Sequence, residues 1–171
     1  MFQLLMLLMI VVGSFGFLTF LGWWNPKWRL SLSFRGRFGL AIFFVFAGVS
    51  HFFMSEKMAL MLPEMIPYRV LLIYITGVLE IAGGIGLLIP GWEKLSSVSL
   101  MLFLVAVLPA NIYSAMRSVP FGGHVNGPSY LLIRVPFQFF LIGWAYYFGV
   151  RRLTQANTSR EIASAGLEGL S

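Results

Sequence analysis

Long apolar runs separated by short polar or basic segments set the pattern of this chain. Five runs approach or reach the roughly 20 residues that a helix needs to cross a hydrocarbon layer: 2–22, 38–54, 70–89, 98–116 and 129–150. Stretches such as 4–12 and 100–108 are apolar all round, with no polar face to turn toward water. Each run therefore predicts a transmembrane helix, and the fold class is an all-α membrane protein. The first run lacks a preceding basic segment and a small-x-small cleavage site, so it reads as a retained anchor rather than a signal peptide.

Composition agrees with the pattern. Apolar residues make up 58% of the 171 positions and charged residues only 11%. An ordinary soluble domain is about half apolar and about a quarter charged. Cys is absent, which removes disulfides, thiolate metal sites and thiol redox chemistry by the chain itself. The net charge of +6 is no nucleic-acid footprint, because the basic residues sit at the ends of apolar runs and form no single stripe.

Their distribution predicts a direction. Lys27, Arg29, Arg35, Arg37, Lys94, Arg151, Arg152 and Arg160 fall on one side, against Lys57, Arg69 and Arg117 on the other. Lys and Arg favour the cytoplasmic side, so the N-terminus is expected outside and the C-terminus inside. All five Trp (Trp23, Trp24, Trp28, Trp92, Trp144) fall near the inner ends, and Tyr68, Tyr113 and Tyr130 mark the outer ends. The polar 151–171 segment is expected to be a frayed cytoplasmic tail. Its Asn157-Thr158-Ser159 triplet matches a glycosylation acceptor but is discounted on that side of the membrane.

Polar residues inside the runs carry the candidate chemistry. A charge at bilayer depth costs at least about 2.5–3.5 kcal/mol and needs a partner or a wet cavity. At 1.5 Å per residue, Glu80 lies roughly 16 Å from the outer end of its run, near the midplane. Gln138 lies about 15 Å deep, Arg134 and Asn111 about 9 Å, and His51 about 5 Å. Helical side chains lean toward their own N-terminus, which tips all five toward one layer in the outer half of the membrane. Helical spacing adds four stripes: Phe44, Ala47, Gly48 and His51; Gly77, Glu80 and Gly84; Val107, Asn111 and Ser114; Tyr130, Arg134, Gln138 and Leu141. Pro109 and Pro136 free the carbonyls of Val105 and Leu132 beside them. These features predict a pocket lined by His51, Glu80, Asn111, Arg134 and Gln138, with Glu80 and Arg134 facing each other. The competing reading is structural: the same side chains would only lock helix packing.

Other signals are weaker. Met54, Met58, Met61 and Met65 have the spacing of a thioether row, a Cu(I) preference. Pro63 and Pro67 interrupt it, and it reads better as the lipid-facing side of an interfacial helix. Residues 83–86 are glycine-rich but are not a nucleotide loop. Residues 121–128 read as an ordinary outer loop, with a lid over the pocket as the alternative. His51 and His124 alone make no metal site, and no metal is expected.

Four stretches carry a family resemblance: Phe46-Ala47-Gly48-Val49-Ser50-His51-Phe52, Thr76-Gly77-Val78-Leu79-Glu80-Ile81-Ala82-Gly83-Gly84, Leu108-Pro109-Ala110-Asn111-Ile112-Tyr113 and Arg134-Val135-Pro136-Phe137-Gln138. Residues 35–150 resemble the DoxX family of small bacterial membrane proteins. The resemblance implies a four-helix transmembrane bundle over 35–150, one extra N-terminal transmembrane helix over 1–24, and a tail over 151–171. It also implies the bacterial inner membrane. The family takes its name from a membrane subunit of a thiosulfate–quinone oxidoreductase, so it implies an accessory role beside a membrane or periplasmic redox protein. No cofactor is evident in the residues themselves, and a quinone is the small ligand the resemblance suggests. In that role Arg134, Gln138 and Asn111 would hydrogen-bond a carbonyl or anion, and His51 or Glu80 would handle a proton. Distant eukaryotic relatives resemble receptor-assembly chaperones, which supports a non-enzymatic scaffold as the alternative. A transporter fits less well, since no inverted repeat with paired broken helices is visible. As an isolated chain the protein reads as an accessory subunit rather than an enzyme.

Overall fold

Helix α1 runs over Phe2–Trp24 and stops where Asn25 and Pro26 turn the chain. The Asn25 side chain accepts the Lys27 backbone N–H at 3.1 Å, closing a short 3-10 turn over Pro26–Trp28. Ser31 then caps α2 (Leu32–Phe53) by accepting the Phe34 N–H at 3.1 Å. A serine at this position satisfies one of the amides that a helix start leaves without a partner. The computed structural model describes residues 2–155 and 158. The chain continues through α3 (Ser55–Ala59), α4 (Arg69–Gly86), α5 (Glu93–Met116), 3-10 turns over Gly122–Tyr130, α6 (Leu131–Tyr146) and a π-helical turn over Tyr147–Arg151. Among the described residues there is no strand. Five helical segments are long and apolar enough to cross a membrane, which fits a multi-pass membrane protein.

The bounds depart from the expected runs for readable reasons. The second begins at Leu32 rather than 38, so Arg35 and Arg37 lie inside α2 and not in a connecting loop. Arg37 is tolerated there because Glu93 neutralises it at 3.0 Å, while its guanidinium also donates to the Leu87 carbonyl at 3.0 Å. The Glu93 carboxylate accepts the Gly91 N–H at 2.7 Å as well. One charge pair thus ties the start of α2, the end of α4 and the start of α5. We call this the basic end. The methionine row is not carried by one helix: α3 covers only Ser55–Ala59, and turns follow through Pro63 to Tyr68. Met65 is 87% exposed, and Tyr68 enters α4 with a left-handed backbone (φ 53°). Proline has no N–H to continue the ladder, so Pro63 ends what the spacing suggested.

Helices α2 and α4 make the most extensive contact in the molecule. They cross at Gly48 and Gly77. A methyl group built on Gly48 would lie 2.6 Å from the Gly77 carbonyl oxygen, and one on Gly77 would lie 2.8 Å from the His51 Cβ. Small residues at a crossing let backbones touch where no hydrophobic drive between helices exists. The core around this seam is built from Leu40, Phe44, Leu87, Leu100, Leu104 and Leu141, all buried. α6 is fastened to α2 by the Trp144 indole N–H donating to the Gly36 carbonyl at 2.9 Å, and the π-helical turn after it by Ser33 donating to the Phe148 carbonyl at 2.6 Å. α1 packs against α2 through fully buried Val11, and its other faces carry exposed Leu5, Met9 and Phe17. Of the 151–171 segment, residues 152–155 continue helically. Asn157, Ser159 and Arg160 lie outside the described residues, and so do 161–171.

Candidate functional site

His51 sits in the last turn of α2, and the glycine crossing brings it against α4. Its Nδ1 lies 3.1 Å from the Ile73 carbonyl and 3.1 Å from the Thr76 hydroxyl. A carbonyl can only accept, and the Thr76 hydroxyl donates its proton to that same carbonyl at 2.8 Å. Nδ1 must therefore carry a hydrogen. The opposite nitrogen, Nε2, faces Glu80 Oε2 at 3.5 Å. Attraction across that gap requires one proton between the two groups, either on the carboxyl or on the imidazole. His51 and Glu80 thus form a close pair, and Glu80 is only 8% exposed.

Arg134 enters from α6. It interacts electrostatically with Glu80, His124 and Tyr130, and it is within hydrogen-bonding reach of the Tyr130 hydroxyl. It does not form a contact ion pair with Glu80. Among the described residues the ion pairs within 4.0 Å are Arg37–Glu93 and His51–Glu80. The expected Glu80–Arg134 contact is thus replaced by a His51–Glu80 contact, with Arg134 acting from farther away. The geometric reason is the seam itself: close approach of α2 and α4 brings Glu80 to the imidazole before it can reach α6. Two buried polar atoms here have no hydrogen-bond partner, Glu80 Oε2 and Arg134 Nε.

Asn111 and Gln138 meet separately, between α5 and α6. Asn111 Nδ2 donates to Gln138 Oε1 at 3.4 Å, and Gln138 Nε2 donates to the Leu104 carbonyl. That carbonyl is the neighbour of the one Pro109 frees at Val105. Ser114 donates to the Asn111 carbonyl at 3.1 Å and lies 2.8 Å from His124 Nδ1. The His124 ring packs edge-on to Tyr130, with centroids 4.8 Å apart. The 121–128 segment is consequently no open loop. It forms 3-10 turns with Gly123, His124 and Gly127 buried, packed on α5.

The five residues form two neighbouring groups. His51 and Glu80 are one, Asn111 and Gln138 the other, and Arg134 is coupled to the first through space. Sequence reasoning did not single out Thr76 as part of the site, although it stands one helical turn before Glu80 on the same stripe. His124 and Tyr130 join through the 3-10 turns, whose course no periodicity reveals. Among the described residues no group of three or more His, Asp or Glu side chains is placed to hold a metal ion. An open groove of about 580 Å³ lies at the end opposite the basic one, lined by Met65, Arg69, Tyr113 and Arg117, and not by the five residues.

Fold and site thus define a helical protein with a buried polar centre between apolar helices of membrane-crossing length. Residues 40–149 match the family model described as a domain of unknown function (DUF8561), and the chain belongs to that family. The match holds every polar residue of the centre and leaves out α1 and Arg37. No curated protein and no solved structure matches the chain.

Proposed function

We propose that this is a multi-pass membrane protein of the DoxX type, with four core helices, an α1 anchor and the basic end in the cytoplasm of a bacterial cell. Its buried centre binds a carbonyl-bearing small molecule, a quinone being the class that fits, in the service of a membrane redox complex. The observation that carries this reading is the presence of two buried polar atoms without a hydrogen-bond partner, Glu80 Oε2 and Arg134 Nε, with the His51 imidazole 3.5 Å from the first. Buried polar groups are nearly always paired, and exceptions in a native fold mark strain, function or an absent partner. The donor set suits a quinone: Arg134 Nε can donate to a carbonyl oxygen, and His51–Glu80 holds a proton close by. A quinone supplies two-electron, two-proton redox chemistry when bound. This chain's residues hold the carbonyl, keep the proton and exclude water.

Titration of the detergent-purified protein with a short-chain benzoquinone should raise its melting temperature. At a hundredfold excess over Kd the stabilisation is about 2.7 kcal/mol, a shift of several degrees. Glu80→Gln should fold and lose most of the shift. Absence of any shift at saturating quinone removes this reading. A second reading, a non-enzymatic assembly factor or scaffold, is favoured by the closed chain from Asn111 through Gln138 to Leu104. Under it, Glu80→Gln melts lower even without ligand.

The orientation has its own test. In intact cells Ser118→Cys should react with an impermeant maleimide, and Lys27→Cys should react only after permeabilisation. Both positions are exposed. The reverse pattern overturns the assigned direction.

A further inference from the structure

At the basic end, α1 and the start of α2 flank a groove of about 420 Å³ lined by Leu18, Thr19, Trp23, Arg29, Leu30 and Arg35. Its two arginines have no carboxylate to face. The chain holds no acidic residue before Glu56, although Lys27, Arg29, Arg35 and Arg37 all fall within 27–37. Glu93 is engaged by Arg37, and among the described residues neither Arg29 nor Arg35 has an acidic partner within 4.0 Å. Arg35 is nevertheless held in place. One guanidinium nitrogen donates to the Thr19 hydroxyl at 2.9 Å, and the group lies 5.8 Å from the Phe15 ring centre. Its Nε is buried and has no hydrogen-bond partner. Arg29, at the other side of the groove, is exposed.

An oriented guanidinium with a donor to spare, a second arginine and no counter-charge call for an anion. The surroundings indicate which one. Trp23 is 73% exposed at the groove. Exposed Trp at the end of an apolar helix marks the headgroup level of a bilayer. On the Trp23 face of α1, exposed Val12 and Leu5 continue away from the groove and offer apolar surface to acyl chains. We infer that the groove between α1 and α2 binds the phosphate of an anionic phospholipid, with Arg29 and Arg35 as its ligands and the acyl chains along α1. This rests on the membrane reading but not on the buried centre, since His51 lies at the opposite end of α2 and Glu80 on α4.

The test uses the full chain in neutral detergent, with phosphatidylglycerol or phosphatidylcholine added at equal mole fraction, read by native mass spectrometry and thermal shift. Phosphatidylglycerol should bind and stabilise, and phosphatidylcholine should not. An arginine near an anionic surface contributes about fivefold in affinity, so Arg29→Gln should weaken binding about fivefold and Arg29→Gln/Arg35→Gln about 25-fold. Arg29 makes no side-chain hydrogen bond among the described residues, so its single variant keeps the fold even if loss of the Arg35–Thr19 bond loosens α1. Lys57→Gln, at the opposite end, should bind as the wild type does. Glu80→Gln should also keep the lipid shift, which separates this test from that of the quinone reading. Equal binding of the two lipids, or unchanged binding by the double variant, overturns the inference. Reproduction of the full shift by inorganic phosphate alone overturns the lipid as its source.

Discussion

Replacing Gly48 by leucine is expected to abolish the folded protein. A single methyl at this position would already sit 2.6 Å from the Gly77 carbonyl oxygen and 2.7 Å from Ile81 Cγ1. The first of these is backbone, so no rotamer change relieves it, and α2 must move away from α4. Overpacking a tight core costs about 1–3 kcal/mol where side chains can yield, and more where they cannot. Gly48→Ala should therefore melt well below the wild type, and Gly48→Leu should give no monodisperse species in detergent. Gly13 supplies the control, because nothing lies within 4 Å of a methyl built there. Gly13→Ala should be neutral or gain about 0.5–1 kcal/mol from helix propensity. If Gly48→Ala melts with the wild type, the α2–α4 crossing is not as close as described. The His51–Glu80 contact would then lose its geometric basis as well.

The second large effect is at the basic end. Glu93→Leu removes the carboxylate from Arg37, which is 6% exposed and keeps only the Leu87 carbonyl. Stranding one member of a buried pair costs about 3–5 kcal/mol. Glu93 itself keeps 19% of its side-chain surface, so water reaches the pair and the lower end of that range applies. Removing both charges, as Arg37→Met/Glu93→Leu, should recover much of the loss, because no uncompensated charge remains. Chemical denaturation or thermal melts of the four species measure the coupling directly. If the double variant is as unstable as the sum of the singles, the two side chains act independently and the tie between α2, α4 and α5 lies elsewhere.

Much of the architecture was legible because helices of membrane-crossing length need long apolar runs, and length and composition expose those directly. The seam between α2 and α4 was half legible. Helical spacing put His51 on the Gly48 stripe and Glu80 on the Gly77 stripe, yet joining the stripes requires knowing that these two helices cross. Periodicity orders residues within one helix and says nothing of which helix stands beside it. That is why Glu80 was matched to Arg134, its formal counter-charge, rather than to a histidine. Arg37–Glu93 was hidden for another reason: Arg37 sits in a dense basic run, and charge counting assigned it to a loop. The methionine row was expected to lie on one interfacial helix already interrupted by Pro63 and Pro67, but α3 is shorter still and ends at Ala59. Turns from Leu60 on, through Pro63, carry Met61 and Met65 off the helix.

The order of partners along the chain has a consequence for biosynthesis. Helices leave the ribosome one after another, and within the buried centre the later side chain of each pair meets a partner already made. His51 precedes Glu80 and Asn111 precedes Gln138, whereas Arg37 is made before α3 and α4 and waits for Glu93. α1, with a mean hydropathy of 2.5 and no ionisable side chain, can enter a bilayer unaided. Arg134 arrives in the last segment, when the remaining polar groups are already waiting for it. In a chain made in this order the two pairs of the centre close as α4 and α6 arrive, and Arg37 gains its counter-charge only when α5 starts.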